Sequence, residues 1–216
     1  MSSICVTGGT GYIGRRLIPL LAKRGHEIRA VVREGSQDKL PSVTSIVVAD
    51  PLKDGSYTEA IKGADTFVHL IGVPHPSPAK AAQFRAVDLP SAQVALNAAR
   101  DAGIRHFVYL SVAQPAPMMQ AFIAVRSEGE AMIRASGIDA TFFRPWYVLG
   151  PGHRWPYFLL PFYWLAERVP ATREGARRLG LVTISQMLKA LVWAVENPPT
   201  GVRILDVPKI RELSNR

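Results

Sequence analysis

The 216-residue chain has little of several features that mark specialised classes of protein. Its one cysteine, Cys5, excludes an intramolecular disulfide, a disulfide-stapled scaffold and a cysteine-rich metal site. Acidic residues are scarce too, 17 against 26 lysines and arginines. The resulting net charge of +9 favours anionic partners without choosing among nucleic acid, a phosphorylated cofactor and an acidic membrane.

Long apolar runs are also missing. The most apolar later stretch, residues 155–166, contains two prolines and is far shorter than the roughly 20 residues that span a bilayer. The N-terminus has no basic region followed by a long apolar one, so we expect no signal peptide and a cytoplasmic protein. Hydrophobic residues make up 48% of the chain and charged residues 20%, which predicts one folded domain over residues 1–216.

Periodicity predicts strands that alternate with helices. The strands are short and apolar, and they cover residues 4–7, 27–32, 45–48, 66–70, 107–110 and 140–143. The helices between them cover residues 11–24, 79–102 with an interruption at Pro90, and 118–135. Strands of this kind alternating with helices are typical of a parallel sheet covered on both faces. We therefore expect an α/β fold with a doubly wound parallel sheet.

A glycine-rich loop joins the first strand to the first helix. It reads Gly9-x-Gly11-x-x-Gly14 and overlaps a second pattern that begins at Gly8. Glycine allows a tight turn, a close approach of the backbone to a pyrophosphate and close packing of helix on strand. The free N–H groups at a helix N-terminus bind phosphate. The loop therefore predicts dinucleotide binding by Gly8, Thr10, Gly11, Tyr12 and Ile13.

Arg33 stands at the end of the second strand, where NAD-binding proteins place an acidic residue on the ribose 2′-hydroxyl. A guanidinium there suits a 2′-phosphate instead. Arg15 and Arg16, in the first turn of the preceding helix, are on the facing element. The pattern favours NADP(H) as the cofactor. The alternative cofactor is NAD. In that case Glu34 would form the hydrogen bond to the ribose, and Arg33 would be an ordinary exposed cation.

Further segments follow the loop in a recognisable order. They are Asp50 after the third strand, residues 69–72 at the end of the fourth, Ser111 after the fifth, and the stretches 125–130 and 143–150. The series resembles the atypical and extended short-chain dehydrogenase/reductases, in particular the NmrA-like group and the Rossmann accessory subunit of respiratory complex I. The resemblance covers residues 3 to about 207 and implies an NAD(P)-binding Rossmann fold.

The resemblance also implies roles for individual residues. Asp50 would meet the adenine, and Leu70, Ile71 and Gly72 would line the track from adenosine to ribose. Near the nicotinamide it places Arg126 and the backbone of residues 145–148, which includes Pro145, Tyr147 and Val148. It implies no metal site.

The family's reductases use a serine on the fifth strand and a Tyr-x-x-x-Lys pair on the next helix. Ser111 matches the serine, but the frame of the pair falls on Phe122 and Arg126. Phenylalanine cannot donate a proton, and arginine stays protonated at any relevant pH. Arg126 can still bind ribose or phosphate. The usual acid–base pair is therefore expected to be missing.

Three interpretations remain open. The protein is an oxidoreductase that obtains its proton from Tyr147, His75 or Tyr109, or that passes hydride to a flavin-like or quinone-like acceptor. Alternatively it binds NADP(H) without turnover, as a sensor or an assembly factor. The third interpretation concerns where it acts, because an aromatic segment is followed by a group of arginines that could contact a membrane surface: Arg168, Arg173, Arg177 and Arg178.

The C-terminal region is expected to form a small substrate-side cap. Residues 1–145 would be the dinucleotide-binding core, and residues 146–216 a subdomain packed on it. A helix is predicted over residues 184–196, with a capping box formed by Thr183 and Gln186, and a last strand over residues 202–207. The aromatic stretch at 155–166 would otherwise form the wall of an apolar substrate pocket or a homodimer contact. The scattered cations predict no specific nucleic-acid recognition.

Overall fold

The computed structural model describes residues 1–42, 44–152, 160–166 and 168–214. The strands are β1 Ser3–Thr7, β2 Glu27–Val32, β3 Ser45–Val48, β4 Thr66–His69, β5 His106–Leu110, β6 Asp139–Arg144, β7 Tyr147–Leu149, β8 Leu181–Thr183 and β9 Val202–Asp206. The helices are α1 Gly14–Lys23, α2 Ala81–Gln83, α3 Leu89–Asp101, α4 Gln120–Ala135, α5 Leu160–Ala166, α6 Pro170–Arg178, α7 Ile184–Glu196 and α8 Val207–Leu213.

Seven strands form one parallel sheet in the order β3-β2-β1-β4-β5-β6-β9. The chain winds outward from β1 to β3 on one side and from β4 to β9 on the other, which confirms the predicted doubly wound fold. Where the two directions diverge, between β1 and β4, the connections leave on opposite sides and a crevice remains at the carboxyl ends of the strands. This crevice is where such folds bind ligands.

Each face of the sheet has its own apolar core. On one face α1 buries Leu17, Ile18 and Leu21 against the strands and against α7. On the other face α3 packs its alanine-rich side on Phe67 and Phe107 of β4 and β5. Both faces of the inner strands β1, β4, β5 and β6 are therefore buried, which explains why their sequences are largely apolar rather than alternating, whereas the edge strand β3 is mostly exposed.

The helix predicted over residues 79–102 is interrupted, but the interruption does not lie at Pro90, where it was predicted. The chain winds through a short turn at Pro78–Lys80, then α2, and then a wider π-helical segment at Phe84–Asp88 before α3 begins. Pro90 lies in the first turn of α3, where its missing N–H would have had no helical partner. The change of helical pitch therefore falls before the proline, at Phe84–Asp88.

Much of the segment after Pro145 belongs to the main layers. The strand β9 extends the sheet beside β6, and α7 packs against α1. The capping box of α7 is confirmed, since the backbone N–H of Gln186 donates to Thr183 Oγ1 at 3.2 Å and that of Thr183 to Gln186 Oε1 at 2.8 Å. The last strand ends at Asp206 because this side chain caps α8, accepting from Lys209 N at 3.0 Å.

Two buried histidines join strands through hydrogen bonds to hydroxyl groups. The distance from His69 Nδ1 to Thr7 Oγ1 on β1 is 2.8 Å, and the distance from His106 Nε2 to Thr141 Oγ1 on β6 is 3.0 Å. Burial lowers the pKa of His69 to about 3, helped by the charge of Arg126. Burial also lowers the pKa of His106 to about 4. Both rings are therefore neutral in the folded protein at neutral pH.

These pKa values predict a loss of stability in mild acid. An unfolded histidine takes up a proton below about pH 6.5, whereas the two folded ones do not until about pH 3 to 4. Below about pH 6.5 each histidine should therefore lower the free energy of unfolding by about 1.4 kcal/mol per pH unit. Urea unfolding between pH 7.5 and pH 4.5 measures this slope. His106→Gln should flatten it, whereas the exposed control His75→Gln should not; equal slopes for His106→Gln and the wild type would contradict the account.

Candidate functional site

Two adjoining cavities occupy the crevice at the carboxyl ends of the strands. The first has a volume of about 470 Å³ and extends toward the end of β2, and the second has a volume of about 330 Å³ and extends toward β5 and β6. They share six lining residues, so they form one continuous cleft: Gly8, Gly11, Leu70, Gly72, Val73 and Pro74. Its two compartments are called here the β2 chamber and the β5 chamber.

The glycine loop forms the floor between the two chambers. Gly8 has a φ of +76°, and a Cβ there would lie 2.7 Å from the carbonyl carbon of Leu70. A Cβ on Gly14 would lie 2.7 Å from Gly9 Cα, so the first turn of α1 packs directly on the loop. The side-chain-free backbone thus leaves the cleft open beside the N-terminus of α1. This is a cradle that fits a pyrophosphate.

Arg33 lines the β2 chamber together with Ser36. Its side chain is exposed, and its guanidinium forms no hydrogen bond or ion pair within the described part of the chain. Arg16, by contrast, donates to the carbonyl of Tyr12 at 2.8 Å and lies 4.2 Å from the centre of that ring. Neither Arg15 nor Arg16 is among the described residues that line the chamber.

Asp50 lies at the edge of the same chamber. Its carboxylate accepts from the backbone N–H of Leu52 at 2.9 Å, which fixes the turn after β3. Pro51 and Leu52 line the chamber, and Asp50 itself is not among the described lining residues. Leu70, Ile71 and Gly72 line the chamber wall at the end of β4. The predicted adenosine contacts therefore lie around one cavity, with Asp50 behind Pro51 and Leu52.

The β5 chamber brings together most of the residues predicted near the nicotinamide. Its described walls include Tyr12, Ile13, His75, Ser111, Phe122, Arg126, Pro145, Trp146 and Val148. Tyr147 is not among the described lining residues, and it belongs to the short strand β7 between two residues that are. Because side chains alternate along a strand, Tyr147 and Val148 point to opposite faces of β7.

Tyr109 is fully buried and is not among the described residues that line this chamber. Its ring packs beside that of His69, and its hydroxyl lies close to Gly129. Burial raises the pKa of the Tyr109 hydroxyl. His75 is exposed at the rim, with a left-handed φ of +49°.

Arg126 is held by the protein itself. Its side chain is 4% exposed, and its guanidinium pairs with Asp88 Oδ2 at 3.0 Å and donates to the carbonyls of Leu110 and Ile71 at 2.8 and 3.3 Å. Asp88 also accepts from the backbone N–H of Val73 at 2.8 Å. Burial raises the pKa of Asp88, opposed by the charge of Arg126 and by these hydrogen bonds.

A second buried carboxylate lies beside Ser111. The Ser111 hydroxyl donates to Glu130 Oε1 at 2.6 Å, and Arg144 pairs with both Glu130 oxygens at 2.9 and 2.5 Å. Sequence reasoning missed Glu130, Arg144 and Asp88. A carboxylate on the predicted helix at 118–135 and an arginine after the sixth strand were visible in the sequence, but their pairing depends on how that helix packs against the strands.

Within the described residues, no helix is long and apolar enough to cross a membrane. The same part of the chain holds no group of three or more histidine, cysteine, aspartate or glutamate side chains placed to bind a metal ion.

The close approach at Gly8 leads to a testable prediction. Gly8→Ala should weaken dinucleotide binding at least tenfold, because its Cβ collides with the end of β4 and displaces the loop. Gly25→Ala is a matched control, since Gly25 has a similar φ of +83° with nothing within 4 Å of the added Cβ. Calorimetric titration with NADPH measures both. Equal affinities for the two variants would show that the close approach does not matter.

Proteins of similar sequence include several reductases. The chain is 28% identical to a ceramide reductase of Caulobacter vibrioides (strain NA1000 / CB15N) over 209 residues, which cover 94% of this chain and 64% of that protein. It is 28% identical over 205 residues to a putative dihydroflavonol 4-reductase of Synechocystis sp. (strain ATCC 27184 / PCC 6803 / Kazusa), covering 93% of this chain and 53% of the other. The chain thus spans little more than half to about two thirds of these relatives.

The fold also matches solved structures. The Bordetella bronchiseptica enzyme WbmH in complex with NAD+ aligns with a TM-score of 0.72 at 19% identity, over all of this chain and 79% of that one. At this identity the likeness concerns the fold. The model of the NAD(P)H-binding family matches residues 8–153, which include the glycine loop and the walls of both chambers. The chain therefore belongs to the NAD(P)H-binding family of Rossmann proteins, of the short-chain dehydrogenase/reductase type.

Proposed function

We propose that this protein is an NADP(H)-dependent oxidoreductase that acts on an apolar, conjugated carbonyl or quinone-like compound. One observation carries the proposal: a continuous cleft runs from Arg33 across the glycine loop to an apolar chamber at Ser111. A dinucleotide laid along it has its adenosine in the β2 chamber and its nicotinamide in the β5 chamber. The activity of the reductases with similar sequences is consistent with this assignment.

The preference for NADP(H) over NAD(H) draws support from the charges around the β2 chamber. Arg33 is the one charged side chain among its described lining residues, and no carboxylate is among them. Glu34, the alternative ribose ligand, is exposed and is not among those lining residues. An unpaired guanidinium favours the 2′-phosphate of NADP(H), whereas NAD(H) requires an acceptor for its 2′-hydroxyl.

The β5 chamber supports an apolar, conjugated substrate. Phe122, Trp146 and Val148 provide aromatic and aliphatic walls, next to several prolines. On the interpretation that Phe122 and Arg126 replace the family's tyrosine and lysine, no tyrosine supplies the proton. A quinone-like acceptor suits such a site, because hydride addition gives an anion that delocalisation stabilises and that solvent can protonate. His75, exposed at the rim, is the side chain best placed to assist, with Tyr147 and Tyr109 less favoured by their positions.

The second candidate function is binding without turnover, as a sensor or an assembly factor. The engagement of Arg126 by Asp88 and two backbone carbonyls favours it, since this arginine is not free to hold a ribose in the way that a catalytic lysine does. In this case the bound dinucleotide would stabilise the fold by mass action and present a changed surface to a protein partner.

The α5–α6 region bears on the proposed partners. Trp164 and Leu165 are 57% and 58% exposed, and the Arg168 guanidinium lies 3.2 Å from the centre of the Trp164 ring. An exposed aromatic residue beside arginines supports a peripheral contact with a membrane, or with a second copy of the chain. Residues 153–159, and the side chains of residues 160, 162 and 163, lie outside the described part, so the rest of the predicted aromatic stretch adds nothing to this proposal.

Arg33 provides the test of cofactor preference. The wild type should bind NADPH at least tenfold more tightly than NADH, and Arg33→Gln should remove most of this difference while leaving NADH affinity nearly unchanged. Arg100→Gln, an exposed residue in the last turn of α3 that is not among the described lining residues of the chamber, is the control and should keep the preference. Calorimetric titration of both cofactors decides; a wild type with equal affinities, or one that prefers NADH, would contradict the proposal.

Turnover is tested by following the hydride itself. NADPH carrying deuterium at both C4 positions is incubated with the protein and a panel of naphthoquinones and aryl ketones, and the products are trapped and examined by mass spectrometry. We expect oxidation of NADPH at a rate proportional to protein concentration with a quinone, or deuterium retained on the carbinol carbon of an aryl ketone product. Tight NADPH binding without cofactor oxidation by any acceptor would favour the non-catalytic alternative.

A further inference from the structure

The Ser111 hydroxyl has only one hydrogen, and the structure shows where that hydrogen goes. Ser111 Oγ lies 2.6 Å from Glu130 Oε1, a short distance for a hydroxyl that donates to a carboxylate. Both residues are buried, Ser111 at 5% exposure and Glu130 at 3%. Ser111 is nevertheless one of the described residues lining the β5 chamber. A ligand in this chamber that reaches Ser111 Oγ therefore meets an oxygen whose hydrogen is already engaged.

The direction of this hydrogen bond follows from the surroundings of Glu130. Arg144 donates to Oε1 at 2.9 Å and to Oε2 at 2.5 Å, and Gln114 Nε2 donates to Oε1 at 3.2 Å. The Arg134 guanidinium lies 4.0 Å from Oε2. A carboxylate paired with guanidinium groups has no hydrogen to donate and can only accept. The hydrogen of the Ser111–Glu130 bond must therefore come from Ser111.

We propose that Ser111 acts as a hydrogen-bond acceptor toward the ligand, and that Glu130 is the positioning residue that fixes this polarity. With its hydrogen held by Glu130, the Ser111 oxygen can receive a hydrogen bond from a ligand hydroxyl or N–H. It cannot donate to a ligand carbonyl without breaking a charge-assisted hydrogen bond inside the protein. At this position the β5 chamber selects a ligand with a hydrogen-bond donor.

This inference rests on the proposed function, because it assigns the β5 chamber to the substrate, and it narrows the substrate class. The favoured compound has an apolar aromatic body that fits against Phe122 and Trp146, and it carries a hydroxyl or N–H group that reaches Ser111. The carbonyl that receives hydride is then a second group of the same compound and is not polarised by Ser111. A hydroxylated quinone or aryl ketone meets both requirements.

A change of Glu130 to glutamine should weaken the bond that holds the serine hydrogen. With its oxygen at the Oε1 position the amide forms only a neutral hydrogen bond with Ser111, and with its NH₂ group there it donates to Ser111 Oγ. In both orientations the serine hydrogen is released to the chamber more readily, so the preference for a donor ligand should fall or reverse. The variant preserves the size and shape of the side chain. A merely structural role for Glu130 predicts general loss of stability or affinity, and not an exchange of preference between two ligands.

The experiment uses two inert probes of similar shape bound to the complex of the full chain with NADP+. The donor probe is 2-naphthol and the acceptor-only probe is 2-acetylnaphthalene, and ligand-observed NMR titration gives both affinities. The wild type should bind 2-naphthol about fivefold more tightly, the ratio expected for one neutral hydrogen bond. Glu130→Gln should lower or reverse the preference. Ser111→Ala, which removes the oxygen, should leave no preference and keeps the test decisive if the glutamine variant fails to fold.

Each other outcome counts against the proposal. A wild type that prefers 2-acetylnaphthalene, or one that binds neither probe, would overturn it, as would a Ser111→Ala variant that retains the wild-type ratio. Failure here is distinguishable from failure of the proposed function, because hydride transfer from deuterated NADPH is measured independently. Transfer without the predicted probe preference would reject the polarity of Ser111 and leave the oxidoreductase assignment standing.

Discussion

The buried ion pair between Arg126 and Asp88 fixes the positions of the backbone segments that form the wall between the β2 chamber and the β5 chamber. Arg126 comes from α4 and Asp88 from the π-helical segment before α3, and together they bond the backbone just beyond β4 and the end of β5. Breaking such a pair by removing one partner costs about 3 to 5 kcal/mol, because a charge is left buried without compensation. The wall of the cleft at Ile71 and Val73 depends on this pair.

A second carboxylate–guanidinium pair, Glu130 with Arg144, stands on the other side of the β5 chamber. The two pairs have different consequences for a ligand. In the first, the Arg126 guanidinium is bonded to Asp88 and to two backbone carbonyls, and in the second, Glu130 also accepts the hydrogen of the Ser111 hydroxyl. These charged groups are thus paired inside the protein, and the described walls of the chamber are mainly apolar. A chain with net charge +9 thus has a largely apolar β5 chamber, whereas Arg33, which forms no ion pair within the described part of the chain, lines the β2 chamber.

The fold could be predicted from the sequence because its signals are local. Apolar strands, the glycine loop and the capping box of α7 each depend on neighbouring residues, and all three appear in the structure. The position of the π-helical segment could not be predicted, since Pro90 is compatible with a helix start and the widening precedes it. The pairs Arg126–Asp88 and Glu130–Arg144 join residues 38 and 14 positions apart on different elements, and only packing brings them together. The roles predicted for individual site residues stay predictions.

A crystal structure of the complex with NADPH would test the proposal that NADP(H) lies along the cleft from Arg33 to Ser111. We expect the 2′-phosphate within hydrogen-bond distance of the Arg33 guanidinium, the pyrophosphate over the loop that begins at Gly8, and the nicotinamide in the chamber lined by Ser111 and Phe122. A 2′-phosphate turned away from Arg33, or a nicotinamide outside that chamber, would contradict it.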